Sequence, residues 1–190
     1  MDKTKDLSIL FIGNSHTYHH DVPHLVQLRA EAAGYACRVT MLAHPNWFLS
    51  QHAEEPEAHF NILYGKYDYV VLQEHAHPFG PEEDFLRASA ALNRLIREAG
   101  STPVIYACWA KRDEPDQQDS MNEAHRRIAA AIGALTAPVG EKWLNAETGL
   151  PYPERYEEDG AHASRAGAEF ASAVIWETIL ADLHRKEREG

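Results

Sequence analysis

Apolar positions along this chain alternate between two rhythms. Residues 7–12 form a short apolar run that reads as a buried strand, and residues 36–42 read as a second. Residues 67–72, apolar and β-branched, read as a third strand buried on both faces. Residues 103–108 give a fourth, and residues 137–139 a short fifth. Between these runs the apolar residues fall at helical spacing. Residues 23–33 place Leu25, Val26 and Leu28 on one side and stop at Gly34. Residues 81–99 open on Pro81 and acids, carry Phe85, Leu92, Leu95 and Ile96, and end before Gly100. Residues 116–135 turn Ile128, Ile132 and Leu135 inward. Residues 44–48 and 150–159 read as loops, and 49–63 as partly helical. Ser164 is placed to cap a last helix that runs to about His184 and gives way to a solvated charged tail.

Strands that alternate with helices predict a parallel sheet covered on both sides. The expected fold class is α/β: a three-layer α/β/α sandwich with a flavodoxin-like sheet of about five strands, order 2-1-3-4-5, in one domain over 1–190. In that order the strand direction of winding switches between strands 1 and 3, and ligands bind beyond the carboxyl ends there. Ser15 follows strand 1 and Gln73–His77 follow strand 3, so both fall at the expected site.

Composition narrows the function. Of 190 residues, 29 are acidic and 18 basic, a formal net charge of −11. A general nucleic-acid binder needs basic surface to displace counterions, and an anionic membrane attracts basic segments, so neither partner is expected. Cys37 and Cys108 are expected as small buried hydrophobes, not as a disulfide framework. The first residues are charged and the apolar run after them is too short for a signal peptide, so the chain as given reads as cytoplasmic. No stretch approaches a membrane span.

The chemistry lies at the two ends. Ser15 stands in Gly13-Asn14-Ser15-His16-Thr17, just after the first strand, and Asp159-Gly160-Ala161-His162 precedes the last helix. Serine is a poor nucleophile unaided and needs a histidine to take its proton; an acid orients that histidine. Each block alone reads equally well as a turn. Together they resemble the SGNH (GDSL-like) hydrolases, as do Leu72-Gln73-Glu74 at the end of strand 3 and Asp159-Gly160-Ala161-His162-Ala163-Ser164. The matching blocks span residues 9–170. The resemblance implies a serine esterase on small-molecule esters, possibly O-acetyl groups on carbohydrates, without a cofactor. It implies Ser15 as nucleophile, His162 as general base and Asp159 as its orienting acid. For the oxyanion hole it implies the N–H of Ser15, a backbone N–H after strand 2 and a side-chain amide after strand 3.

Three departures stand out. Asn14 replaces the family's usual Asp. Asn46 aligns with its glycine, judged from Leu49 and His52, and asparagine tolerates positive φ. The family's Gly-x-Asn-Asp block is missing, so Gln73, or His77 a few residues on, is expected to supply the third donor; the Gln73 amide equally suits tying its loop to neighbouring backbone. Asn14, Trp47, His77 and Trp109 are expected to line the substrate site. The twelve histidines cluster at 16–24 and 75–77 but show no metal-binding spacing on a firm helix, so no metal is assigned. Two other readings remain open. One is a phosphate- or nucleotide-binding flavodoxin-like module using the Gly13–Thr17 turn, which leaves the late Asp-x-x-His unused. The other is a histidine-based metal-dependent hydrolase. The sequence does not fix the oligomeric state.

Overall fold

The chain threads five strands into one sheet: β1 Lys5–Gly13, β2 Tyr35–Ala43, β3 Tyr69–Leu72, β4 Thr102–Tyr106 and β5 Leu135–Ala137. The computed structural model describes residues 5–144 and 152–189. All neighbouring strands are parallel and the order is β2-β1-β3-β4-β5, as the alternating pattern predicts. Successive residues of β1 point to opposite faces. Ile9 and Phe11 join Tyr69, Val71, Val104 and Tyr106 in one core; Leu10 and Ile12 join Val70, Leu72 and Ile105 in the other. This two-sided burial is why the central strands are apolar at nearly every position.

Helices α2 (Val22–Ala32) and α8 (Arg165–Glu189) cover the first face through Val22, Leu25, Val26, Ile175 and Ile179. The second face is closed by α3 (Leu49–Glu54), α4 (Pro56–Tyr64), α5 (Glu82–Glu98) and α6 (Gln118–Ile132). In α5 the buried set is Phe85, Ala88, Ser89, Leu92 and Ile96, while Glu82, Glu83 and Asp84 sit at the positive N-terminal end. No helix among the described residues is long and apolar enough to cross a membrane. Cys37 and Cys108 are buried and free.

The structure differs from the sequence expectation at four places. Helix α6 ends at Ile132, because Gly133 takes a φ of 64° and turns the chain out of the helix. Leu135 therefore belongs to β5, paired with Val104, and Val139 begins a short helix, α7 (Val139–Trp143). Helix α8 continues to Glu189, its charged end held by Asp182 against Arg185 and Lys186 and by Arg185 against Glu189. A one-turn helix, α1 (Ser15–Tyr18), forms where only a loop was expected. The loop expected over 150–159 has its first two residues outside the described ones, and 152–155 form a 3-10 turn.

Candidate active site

At the carboxyl edge of the sheet, Asn14 ends β1 and starts α1. Its side-chain oxygen accepts from the His16 N–H and its carbonyl accepts from the N–H groups of Thr17 and Tyr18. Of the first four N–H groups of α1, only that of Ser15 is left unengaged by Asn14. Ser15 is half-buried at the first helical position.

The other end of the chain brings a histidine to this point. His162 Nε2 lies 2.8 Å from Ser15 Oγ, and His162 Nδ1 lies 2.6 Å from Asp159 Oδ2. A carboxylate only accepts, so Nδ1 carries the proton and Nε2 is the acceptor for the Ser15 hydroxyl. Asp159 Oδ1 accepts from the N–H groups of Ala161 and His162 at 2.8 and 3.0 Å. Partial desolvation works against ionisation of Asp159. The hydrogen bond from His162 and the two N–H groups outweigh it and hold the carboxyl below the usual carboxylate range. The loop is pinned around this pair: Glu157 N–H donates to His162 O, Tyr156 pairs with Ala163, and Ser164 Oγ accepts from the Gly167 N–H at the start of α8.

Asn46 occupies a turn after β2 with Pro45 before it and Trp47 N–H donating to His44 O. Its φ is 59°, the positive value that the third position of a type II turn requires. Asn46 is exposed and Trp47 half-buried against His44 and His52.

Three expected roles do not match the geometry. The Gln73 side chain is 1% exposed. Its Oε1 accepts from Asn14 N–H at 2.8 Å and Thr17 Oγ at 2.9 Å, and its Nε2 donates to the Glu74 carbonyl. Through its Oε1 this amide is a strut under α1. Asn14 is also 1% exposed; its Nδ2 donates to Trp47 O at 2.9 Å, so it joins the β1 and β2 loops and does not face substrate. Trp109 is fully buried, stacked on Trp143 at 3.7 Å and 6°, with Nε1 donating to Ala161 O. It braces the Asp159–His162 loop from beneath.

His77 is half-buried and lines a cleft of about 400 Å³ with Pro78, Phe79, Lys111, Glu114 and Gln117. Its Nε2 is buried without a hydrogen-bond partner among the described residues. Burial, with Lys111 and His75 nearby, pushes its pKa down to about 4, so the ring is neutral near pH 7. His16 beside it is 5% exposed, and burial next to His77 and His162 pushes its pKa well below the usual value. Among the described residues no group of three or more His, Cys, Asp or Glu is arranged to hold a metal ion.

Two groups at the site went unassigned from the sequence. His52 Nε2 meets Gly13 O at 2.8 Å and fixes the end of β1. Glu74, 3% exposed, accepts from His75 N–H at 2.6 Å and Leu49 N–H at 3.4 Å, tying the loop after β3 to α3. Burial raises its pKa to about 7, against those two hydrogen bonds. Between the unfolded value near 4.3 and about 7, the native state then binds more protons, so this group's contribution to stability falls as pH rises through that window. Glu74→Gln keeps the acceptor and loses the titration. Relative to wild type it should gain on the order of 3 kcal/mol between pH 4 and pH 8. Urea unfolding midpoints at the two pH values check this; an unchanged difference refutes it.

No protein-family model matches the chain, and no curated protein matches it in sequence. Solved structures do. A proposed SGNH hydrolase from Slackia heliotrinireducens is 26% identical, with a TM-score of 0.79, over 92% of this chain and 100% of that one. A carbohydrate esterase family 3 protein from Talaromyces cellulolyticus is 13% identical, TM-score 0.72, over 94% and 99%. An acetyl xylan esterase, AlAXEase, is 16% identical, TM-score 0.67, over 90% and 98%. The parallel sheet, its strand order and these neighbours define a hydrolase of three-layer α/β/α architecture. Its fold is the one shared by these SGNH (GDSL-like) hydrolases and esterases, and the 26% identical SGNH protein matches it along its whole length.

Proposed function

We propose that the protein is a serine esterase in which Ser15 is the nucleophile, His162 the general base and acid, and Asp159 the orienting carboxylate. The observation that carries this reading is the unbroken relay from Asp159 Oδ2 through His162 to Ser15 Oγ, 2.6 and 2.8 Å long. Ser15 Oγ attacks the ester carbonyl carbon while its proton passes to His162 Nε2. The tetrahedral intermediate collapses as His162 returns that proton to the leaving alcohol, which leaves Ser15 acylated. Water then repeats the two steps and frees the acid. The N–H groups of Ser15 and of the Asn46 turn receive the oxyanion, and Gln73 acts on it only indirectly by holding Asn14. His77, which lines the adjoining cleft, is the side chain left to meet the substrate's polar groups.

Two neighbours act on acylated carbohydrates by name. A polar cleft lined by Lys111, Glu114 and Gln117 beside His77 fits a hydroxyl-rich alcohol portion better than a long lipid chain. We therefore assign small O-acyl groups, acetyl first, on a carbohydrate as the substrate class. A panel of p-nitrophenyl esters from acetate to octanoate, with acetylated xylo-oligosaccharides, tests this. Activity should be highest on acetate, should survive EDTA, and should disappear on labelling of Ser15 by a fluorophosphonate. Loss of activity in EDTA with recovery on zinc would favour the metal-dependent reading instead.

A further inference from the structure

The imidazole of His19 lies flat on that of His162, ring centroids 4.3 Å apart and planes 17° from parallel. Nothing in the Asp159–His162–Ser15 relay requires this contact. The backbone reaches it at a cost. Helix α1 stops at His19, and the next two residues, His20 and Asp21, take φ values of 51° and 58°, a conformation side chains rarely adopt. His20 Nε2 then meets Glu157 Oε1 at 2.5 Å, which ties this turn to the loop that carries His162. Two linked contacts thus hold the α1–α2 turn against His162: a hydrogen bond to Glu157 at its rim and a ring face over His162 itself.

We infer that His19 is a positioning residue whose neutral ring face fixes the plane of His162 and stabilises the imidazolium formed when His162 takes the Ser15 proton. The inference rests on the proposed roles of Ser15 and His162. Physically, a cation gains from an aromatic face placed against it, and a stacked ring leaves the imidazole one orientation in which both nitrogens keep their partners. The groups facing His19 are known. Partial burial, with His162 and His20 alongside, lowers its pKa, while Asp159 and Glu157 oppose this; Tyr18 offers a further ring at 5.8 Å. These influences favour the uncharged ring, the form that suits a partner for a transient cation. His16 tilts toward His162 at 5.1 Å and 32°, and burial also favours its neutral form, so α1 sets no permanent positive charge against the imidazolium.

The test compares wild type, His19→Leu, His19→Gln, His19→Phe and Ser15→Ala on p-nitrophenyl acetate, with kcat, KM and the pH profile of kcat/KM. Leu and Gln remove the aromatic face and should each lower kcat by about 3- to 30-fold with KM nearly unchanged. Their acid limb should move to lower pH, because the imidazolium has lost its support. Phe restores a face without a titrating group and should recover kcat to within about 3-fold and return the acid limb toward wild type. Wild-type kcat and acid limb in both Leu and Gln, or Phe no better than either, overturns the inference. Ser15→Ala separates the two claims: if it is inactive while the His19 series is flat, only the positioning role fails; if it stays active, the triad reading fails first. Two face-less variants are used so that poor folding of one leaves the comparison intact.

Discussion

Ser15→Ala and His162→Ala should each lower kcat by about three orders of magnitude or more, and the double variant should be little worse than either alone. The reason is that the two groups form one device. With Ser15 gone there is no oxygen to acylate, and the base 2.8 Å away has nothing to activate. With His162 gone the hydroxyl keeps its proton and the leaving alcohol has no donor. Activity remaining in the double variant would come from the N–H groups that polarise the carbonyl and from substrate binding. Burst kinetics with p-nitrophenyl acetate measure the effect and show whether an acyl-enzyme forms. Additive losses, with the double variant the product of the singles, would mean that Ser15 and His162 act in separate steps and would sink the triad assignment.

Gly13→Ala should lower kcat by about 10²-fold and destabilise the fold by about 1–3 kcal/mol. A Cβ at Gly13 would sit 2.5 Å from both Gln73 Oε1 and Thr17 Oγ1 and 2.9 Å from Gln73 Cβ. Those atoms form the knot that fixes the start of α1: Gln73 Oε1 accepts from Asn14 N–H and from Thr17 Oγ. An added methyl must push the amide away and free both donors in a buried place, and the displacement passes directly to Ser15. The loss should fall on kcat and leave the acyl-chain preference unchanged, because the displaced atoms lie under the nucleophile and not in the cleft. Thermal melts and steady-state kinetics on the same preparation check both halves. Gly13→Ala with wild-type kcat would mean that Gln73 is dispensable for placing Ser15.

The elements most legible in the sequence were those whose burial is set by their own pattern. β3 and α5 carry their apolar signature in consecutive or helically spaced residues, and the parallel sheet follows from alternation. What escaped depended on contacts between distant segments. The helical spacing of Ile128, Ile132 and Leu135 carries the expected helix past Gly133, which in the structure ends it, and this shifts β5 and hides α7. The error propagated: Trp143 lies in the missed α7, and it is Trp143 that stacks on Trp109 and buries it. A tryptophan after the fourth strand, without that partner, looks like a substrate platform. Gln73 was similarly unreadable, since the Asn14 N–H that claims its amide faces it only once Ile12 and Leu72 pair in register. Ser15, Asp159 and His162 stood out because their spacing along the chain marked them, and the structure brings the three together. His19 carried no such mark; its stack on His162 depends on a turn built from two residues with positive φ.

Ser15 and His162 are separated by 147 positions, one at the exit of the first strand and the other just ahead of the last helix. During synthesis the nucleophile leaves the ribosome early and waits through four more strands before its base is made. A nascent or prematurely released chain carries a serine that is chemically ordinary, because nothing yet withdraws its proton. On the proposed roles, hydrolytic power would arrive only when the C-terminal segment docks, so the event that closes the α2–α8 layer would also arm the enzyme.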